Sequence, residues 1–232
     1  MLAIRKAGDR GHANHGWLDS YHTFSFGNYY DPGHMGISNL RVINDDTVAP
    51  GGGFATHGHK DMEIISYVLE GALEHKDSMG NGSVIRPGDV QRMSAGTGVT
   101  HSEYNHSKSE PVHFLQIWLQ PNAMGVEPSY DQRNFPVEDR RGRWELLVSP
   151  DGRNGSIATY QVALMLGTLL APGEAMEYRF DTERQGYLHL AHGQLRVGNV
   201  TLNQGDGLTI QKQELLELEG IEDAEVLLFD LP

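Results

Sequence analysis

Two short patterns in this chain could do chemistry: His57-Gly58-His59 and, 42 residues after His59, His101-Ser102-Glu103. On an extended strand, residues i and i+2 point to the same face, so each pattern sets two metal-binding groups side by side. Gly58 adds no side chain to the opposite face. If the two strands are neighbours, about 4.8 Å apart, three imidazoles and one carboxylate converge on a single spot. Bonds of about 2.1 Å then suit one divalent ion. This donor set, with no thiolate, favours Fe(II), Mn(II), Ni(II), Cu(II) or Zn(II) over calcium or magnesium. Four protein ligands leave a position open on a five- or six-coordinate ion, which marks a catalytic rather than a structural site. A lone His-x-His is as often a surface pair, and a lone His-x-Glu says less. Here each follows a Gly-rich turn, Gly51-Gly52-Gly53 and Ala95-Gly96-Thr97-Gly98, and the combination is far more specific.

The elements that must position these groups read as short strands. Leu40 to Asn44, Ile64 to Leu69 and Val112 to Leu119 are apolar runs, the longer two rich in β-branched and aromatic residues. Turn signals separate them roughly every ten residues, among them Glu70-Gly71, Met79-Gly80-Asn81-Gly82 and Arg86-Pro87-Gly88-Asp89, a spacing typical of antiparallel sandwiches and barrels. The 28 glycines and 10 prolines spread along 232 residues agree with an all-β chain and argue against a helical bundle. From Gln120 to Gly142 the pattern lapses into prolines and a Glu138-Asp139-Arg140-Arg141 run, read as a linker with a possible helical turn. Strand-like runs resume at Trp144 to Val148 and continue to Val226 to Phe229. Val112 to Leu119 reads as fully buried, which makes Phe54, Met62, Phe114, Ile117 and Trp118 expected core residues.

Composition excludes several classes. With no cysteine there are no disulfides, thiolate metal sites, iron–sulfur clusters or thiol nucleophiles. With 18 basic against 31 acidic side chains, net charge −13, a surface built to neutralise nucleic-acid phosphates is not expected. No window resembles a signal peptide or a membrane span, and the expectation is a soluble cytoplasmic protein.

The chain also repeats itself. Ala49-Pro50-Gly51, with Gly71 twenty residues on, recurs as Ala171-Pro172-Gly173 with Gly193 at the same interval, and Gly88-Asp89 recurs as Gly205-Asp206. The offset is 122 for the first blocks and 117 for the last. At these offsets His57, His59 and Glu63 correspond to Arg179, Asp181 and Gln185, and His101 and Glu103 to Leu218 and Gly220. Only Asp181 could ligate an ion, so the second copy is expected to be metal-free. The expected organisation is a metal-binding domain over 1–120, a linker over 121–143 and a diverged domain over 144–232.

Gly51-x5-His57-x-His59-x3-Glu63, followed by Gly82-x4-Pro87-Gly88-Asp89 and His101-x3-Asn105, resembles the two cupin motifs. More narrowly, Arg10 to Trp17, His57 to Glu63 and Ser94 to Glu103 resemble the pirin family of bicupins. The resemblance implies two tandem cupin β-sandwich barrels with one metal in the first, Fe(II) being the favoured ion and Ni, Mn, Cu or Zn alternatives. The general cupin pattern would also make Glu63 a ligand. Here seven residues, not six, separate Glu63 from Gly71, and an unbroken strand would carry Glu63 about 13 Å past His59. The pirin pattern uses the Glu103 position, so the expected ligands are His57, His59, His101 and Glu103. Several bacterial members imply quercetin 2,3-dioxygenase activity: a flavonol and O2 as substrates, Glu103 as general base and CO as a product. Other members imply a metal-dependent redox-sensing protein with a regulatory protein partner. His12, His15 and His22 are expected to make structural hydrogen bonds. His75 and His113 lie on strands facing either the interior or solvent, and His106 is expected in a loop.

Overall fold

The computed structural model describes residues 1–181 and 183–232. They form two compact units, one of Gly11–Asn134 with Thr159–Gln161, the other of Met1–Arg10, Phe135–Ala158 and Val162–Pro232. We call them the N-terminal and C-terminal sandwiches. No helix among the described residues is long and apolar enough to cross a membrane.

In the N-terminal sandwich a seven-stranded sheet runs in the order Ser129–Asn134, Asp89–Ser94, Glu63–Glu70, Val112–Leu119, Leu40–Val48, Leu18–His22, Gly11–Asn14. A four-stranded sheet has the order Gly53–His59, Val99–Asn105, Leu73–Asp77, Gly82–Ile85. The inner faces meet through Leu73 and Ile85 from the small sheet and Leu18, Val48, Val68, Val112 and Phe114 from the large one. Alternation supplies this core, because every second residue of a half-buried strand turns inward.

The C-terminal sandwich repeats the plan. Gly207–Ile210, Gln185–His192, Ala224–Leu231 and Leu164–Leu170 stand in the order of Asp89–Ser94, Glu63–Glu70, Val112–Leu119 and Leu40–Val48. Ala175–Arg179, Leu215–Gly220, Gln194–Val197 and Val200–Asn203 likewise match the small sheet. One glycine pair shows why the repeat is visible in sequence. Gly71 and Gly193 both hold left-handed φ, 78° and 80°. A β-carbon at either would strike the hairpin before the last strand, 2.6 Å from the Pro111 carbonyl oxygen and 1.9 Å from that of Asp223. Only glycine meets both demands.

The expected boundaries differ from these units in several places, one of them Thr159–Gln161, which lies within 144–232 yet belongs to the N-terminal unit. Leu2–Arg5 pairs with Gly207–Ile210 in the C-terminal sandwich, so residues 1–10 do not belong with the rest of 1–120. Within 121–143, Ser129–Asn134 pairs with Asp89–Ser94 as an edge strand. Its six residues are polar except Tyr130, so no apolar alternation announces it. Val137–Arg140 forms one turn of α-helix.

Inside the C-terminal sandwich Leu216 and Leu218 are buried in an apolar cluster with Leu195 and Val197, where Met176 and Tyr178 also pack. Leu216, Leu218, Met176 and Tyr178 occupy the strands that correspond to the histidine-bearing pair. Elemental analysis of metal-reconstituted protein is therefore expected to give one transition-metal equivalent per chain. Two equivalents, with the second surviving His57→Ala and His101→Ala, would contradict this.

Candidate metal centre

Gly53–His59 pairs antiparallel with Val99–Asn105, placing His57 opposite His101 and His59 opposite Val99. Directly paired residues share a face of the sheet, so all three imidazoles turn to the same side. Their ring centroids form a triangle with edges of 4.5, 4.8 and 4.9 Å. The Nε2 atoms of His57 and His101 are 3.1 Å apart. Two nitrogens bound cis at about 2.1 Å from one ion would stand about 3 Å apart, so the donors present fit a transition metal. Burial keeps two of the rings neutral. His59 is pushed down to about 4 by desolvation and by His57, and His101 to about 3 by desolvation and its histidine neighbours. Neutral imidazole is the form that ligates.

Behind His101 lies a relay read from its hydrogen bonds. His101 Nδ1 is 3.4 Å from His75 Nδ1, and His75 Nε2 is 3.1 Å from Asp77 Oδ2. The His75 and Asp77 side chains have no exposed surface. Burial alone would raise the Asp77 carboxyl, but hydrogen bonds from Asn81 and His75 outweigh it and hold the carboxyl below its usual range. A carboxylate accepts only, so His75 donates through Nε2 and presents the Nδ1 lone pair to the Nδ1–H of His101. His101 Nε2 is left as a free donor atom facing His57. His75 therefore faces the interior and fixes a tautomer.

Glu103 is fully buried beside this group. Its carboxylate, His101 and His75 have ligand atoms within 4.8 Å of one another, as do His57, His59 and His101. Ser66 Oγ donates to its Oε1 at 3.0 Å and Gln116 Nε2 to its Oε2 at 2.9 Å. Burial, against those two hydrogen bonds, pushes the carboxyl up to about 7. Glu63 stands elsewhere. Its Oε2 accepts from Ser94 Oγ at 2.8 Å, from the Thr159 hydroxyl and from the Tyr160 backbone N–H at 3.3 Å.

His57, His59 and Glu103 line a cavity of about 700 Å³, while His101 lies behind its wall. Several residues expected to be structural line it. His12, His15 and His22 are in its wall, as are Phe54 and Trp118, whereas Phe114 and Ile117 are core. Trp118 stacks edge-on to the His59 ring at 5.1 Å. Phe54 reaches the cavity through a bulge: the register slips between His101 and Glu103, so Ala55 and Thr56 both face outward and Phe54 turns in beside His57. Simple alternation from His57 would have pointed Phe54 away. Gln116, Ser66, Asn44 and Asp46 were not singled out from sequence. The available signal was a polar residue on the buried face of an otherwise apolar strand. Of the remaining histidines, His113 bonds Asp45 and His106 bonds Glu74.

A two-sheet sandwich repeated in tandem, with an imidazole cluster in one copy, is a bicupin. A family model described as Pirin matches residues 3–119, and one described as Quercetinase C-terminal cupin domain matches residues 146–231. The chain belongs to the pirin family. It is 48% identical over 232 residues to a protein of Escherichia coli (strain K12) named quercetin 2,3-dioxygenase, covering 100% of this chain and 99% of that one. It is 42% identical over 228 residues to a pirin-like protein of Caulobacter vibrioides, covering 97% and 98%. The crystal structure of the bacterial pirin YhhW from E. coli in complex with nickel(II) superposes with a TM-score of 0.96, at 48% identity and 100% and 99% coverage.

The relay yields a direct expectation. Asp77→Asn replaces the acceptor by an amide that can donate instead, which releases the tautomers of His75 and His101. Metal affinity measured by competition with a chelator should fall about 10- to 100-fold, with the fold retained by circular dichroism. An unchanged affinity would remove the relay from the account.

Proposed function

We propose that this chain is a metal-dependent dioxygenase that opens a flavonol such as quercetin with O2 and releases CO. In this reading His57, His59, His101 and Glu103 hold one divalent transition metal, with Fe(II) the favoured ion. The observation that carries it is the convergence of His57, His59 and His101, with the buried Glu103 carboxylate within reach of His101, beside an aromatic-lined cavity that His57, His59 and Glu103 line. The names of the E. coli relatives and the nickel bound to one of them support the same reading.

When bound, the ion supplies Lewis acidity toward a deprotonated hydroxyl and an electronic bridge between the electron-rich ring and dioxygen. The protein's own groups do the rest. Phe54 and Trp118 present apolar surface to a flat ring system and limit water. Glu103 takes the proton of the flavonol 3-hydroxyl. Without an ion, burial raises this carboxyl to about 7, and a bound cation would favour its ionised form, the form able to accept a proton. Ser66 and Gln116 fix its two oxygens so that it meets the substrate in one orientation.

Two outcomes follow for the glutamates. Glu103→Gln keeps volume but cannot accept the proton, so turnover measured by O2 uptake and CO release should fall by about 10²-fold or more. Glu63→Gln should cost at most a modest fraction of activity, because its carboxylate is engaged by Ser94, Thr159 and Tyr160. Turnover near wild type in Glu103→Gln, with metal lost in Glu63→Gln, would reverse the assignment.

Proton release provides a second check, with its sign set by the carboxyl. At pH 6 Glu103 is mostly protonated while His59 and His101 are already neutral. Metal uptake at pH 6 should therefore release a proton from Glu103 and none from those two rings. Release from Glu103 should fade toward zero by pH 8. Calorimetry in buffers of different ionisation enthalpy reads this, and Glu103→Gln should abolish that release.

A further inference from the structure

The inner face of the seven-stranded sheet carries a polar patch in the cavity wall that the metal chemistry does not use. Ser20 and His22 turn inward from Leu18–His22, and Asn44 and Asp46 from Leu40–Val48. The register pairs Ser20 with Asp46 and His22 with Asn44. Ser20 Oγ donates to Asp46 Oδ1, and His22 Nδ1 lies 2.9 Å from Asn44 Oδ1. All four are between 2% and 7% exposed, and all four line the cavity.

Asp46 is the unusual member. A buried carboxyl is costly unless donors surround it. Among the described residues the Ser20 hydroxyl is the one side-chain donor that meets it, while Asp45 and Glu103 lie near enough to repel its charge. That hydrogen bond falls on Oδ1, and Asp46 lines the cavity, so its second oxygen is the one available to a ligand there.

The patch is also placed to read one end of a ligand. Asn44 is in register with Gln116, the residue that holds Glu103. At about 4.8 Å per strand, the polar wall extends from Gln116 across one and then two strand spacings. A flat molecule with a hydroxyl at Glu103 would lay its far part over Ser20 and Asp46, with Phe54 and Leu18 as apolar neighbours.

We propose that Asp46, aligned by Ser20, is a specificity-determining residue that accepts a hydrogen bond from a phenolic hydroxyl on the part of the substrate remote from Glu103. This rests on the reading of the cavity as a flavonol site and narrows it to flavonols hydroxylated beyond the 3-position. A site built to bond a hydroxyl discriminates strongly against the analogue that lacks it, because its own polar group is then left unpaired.

The test compares quercetin with 3-hydroxyflavone, which carries only the 3-hydroxyl, on metal-loaded protein at pH 8, where Asp46 is mostly ionised. Two quantities are read: Kd by anaerobic absorbance titration, and kcat/KM by O2 uptake. Wild type should prefer quercetin by about 10-fold or more in Kd. Asp46→Asn and Asp46→Ala should each collapse that ratio toward one, mainly by weakening quercetin, and Ser20→Ala should lower it part of the way. Metal content and melting temperature of each variant identify any that fail to fold, and Ser20→Ala then carries the test. An absent preference in wild type, or a ratio unchanged in folded, metal-loaded variants, would overturn the proposal. Absence of O2 uptake with either flavonol would count against the dioxygenase reading alone, since the Kd ratio still reports on Asp46.

Discussion

Everything at the centre depends on one strand pairing. Gly53–His59 lies against Val99–Asn105 in the register that puts His57 opposite His101. A slip of one residue would turn His101 and Glu103 to the outer face together, because side chains alternate with a period of two. The bulge adds what regular pairing cannot: it turns Phe54 onto the histidine face without moving His57 or His59 from it. Gly53 permits the close approach this needs, since a β-carbon there would lie 2.4 Å from the Glu103 carbonyl oxygen.

Around that pairing the N-terminal sandwich carries metal-binding groups where the matching strands of the C-terminal sandwich carry apolar ones. Glu103, Glu63, His75 and Asp46 are all buried in the N-terminal unit, whereas Leu216, Leu218, Met176 and Tyr178 stand on the C-terminal strands that match the histidine-bearing pair, although His189, Asp206 and Asp230 are buried in that unit too. Buried polar groups do not stabilise relative to a packed apolar core, and they become costly when a partner is missing. Most of them here are held by named donors: Ser66 and Gln116 for Glu103, Ser94 and Thr159 for Glu63, Asn81 for Asp77. Two of the exceptions among the described residues lie at the site. Trp118 Nε1 and Gln116 Oε1 are buried without partners on adjacent inward positions of one strand, beside the histidines. Such unpaired groups concentrate where a fold gives up stability for a site.

Much of this was legible in the residues. The i, i+2 spacing of His57 and His59 was enough to align those two rings, and the repeated glycines at 71 and 193 disclosed the tandem plan because no other residue fits either turn. The seven-residue gap before Gly71 put a ligand role for Glu63 in doubt, and its carboxylate accepts hydrogen bonds from Ser94, Thr159 and Tyr160. What stayed hidden depends on pairings between distant segments. Phe54 follows from a bulge that no local propensity encodes. The edge strand Ser129–Asn134 has no apolar alternation. Leu2–Arg5 joins a sheet some 200 residues away, and short terminal strands carry no sign of their partner. The inward roles of Asn44, Asp46, Ser66 and Gln116 were visible only as polar breaks in apolar runs, a pattern equally compatible with an outward face.

The central claim is that one ion is held by three imidazoles from this strand pair together with the Glu103 carboxylate. X-ray absorption spectroscopy of the metal-reconstituted protein, in wild type and in Glu103→Gln and Glu63→Gln, tests it most directly. The spectra are expected to show three imidazole scattering paths and a light-atom shell that changes in Glu103→Gln and not in Glu63→Gln. Two or fewer imidazoles, or a shell that responds to Glu63→Gln alone, would contradict it.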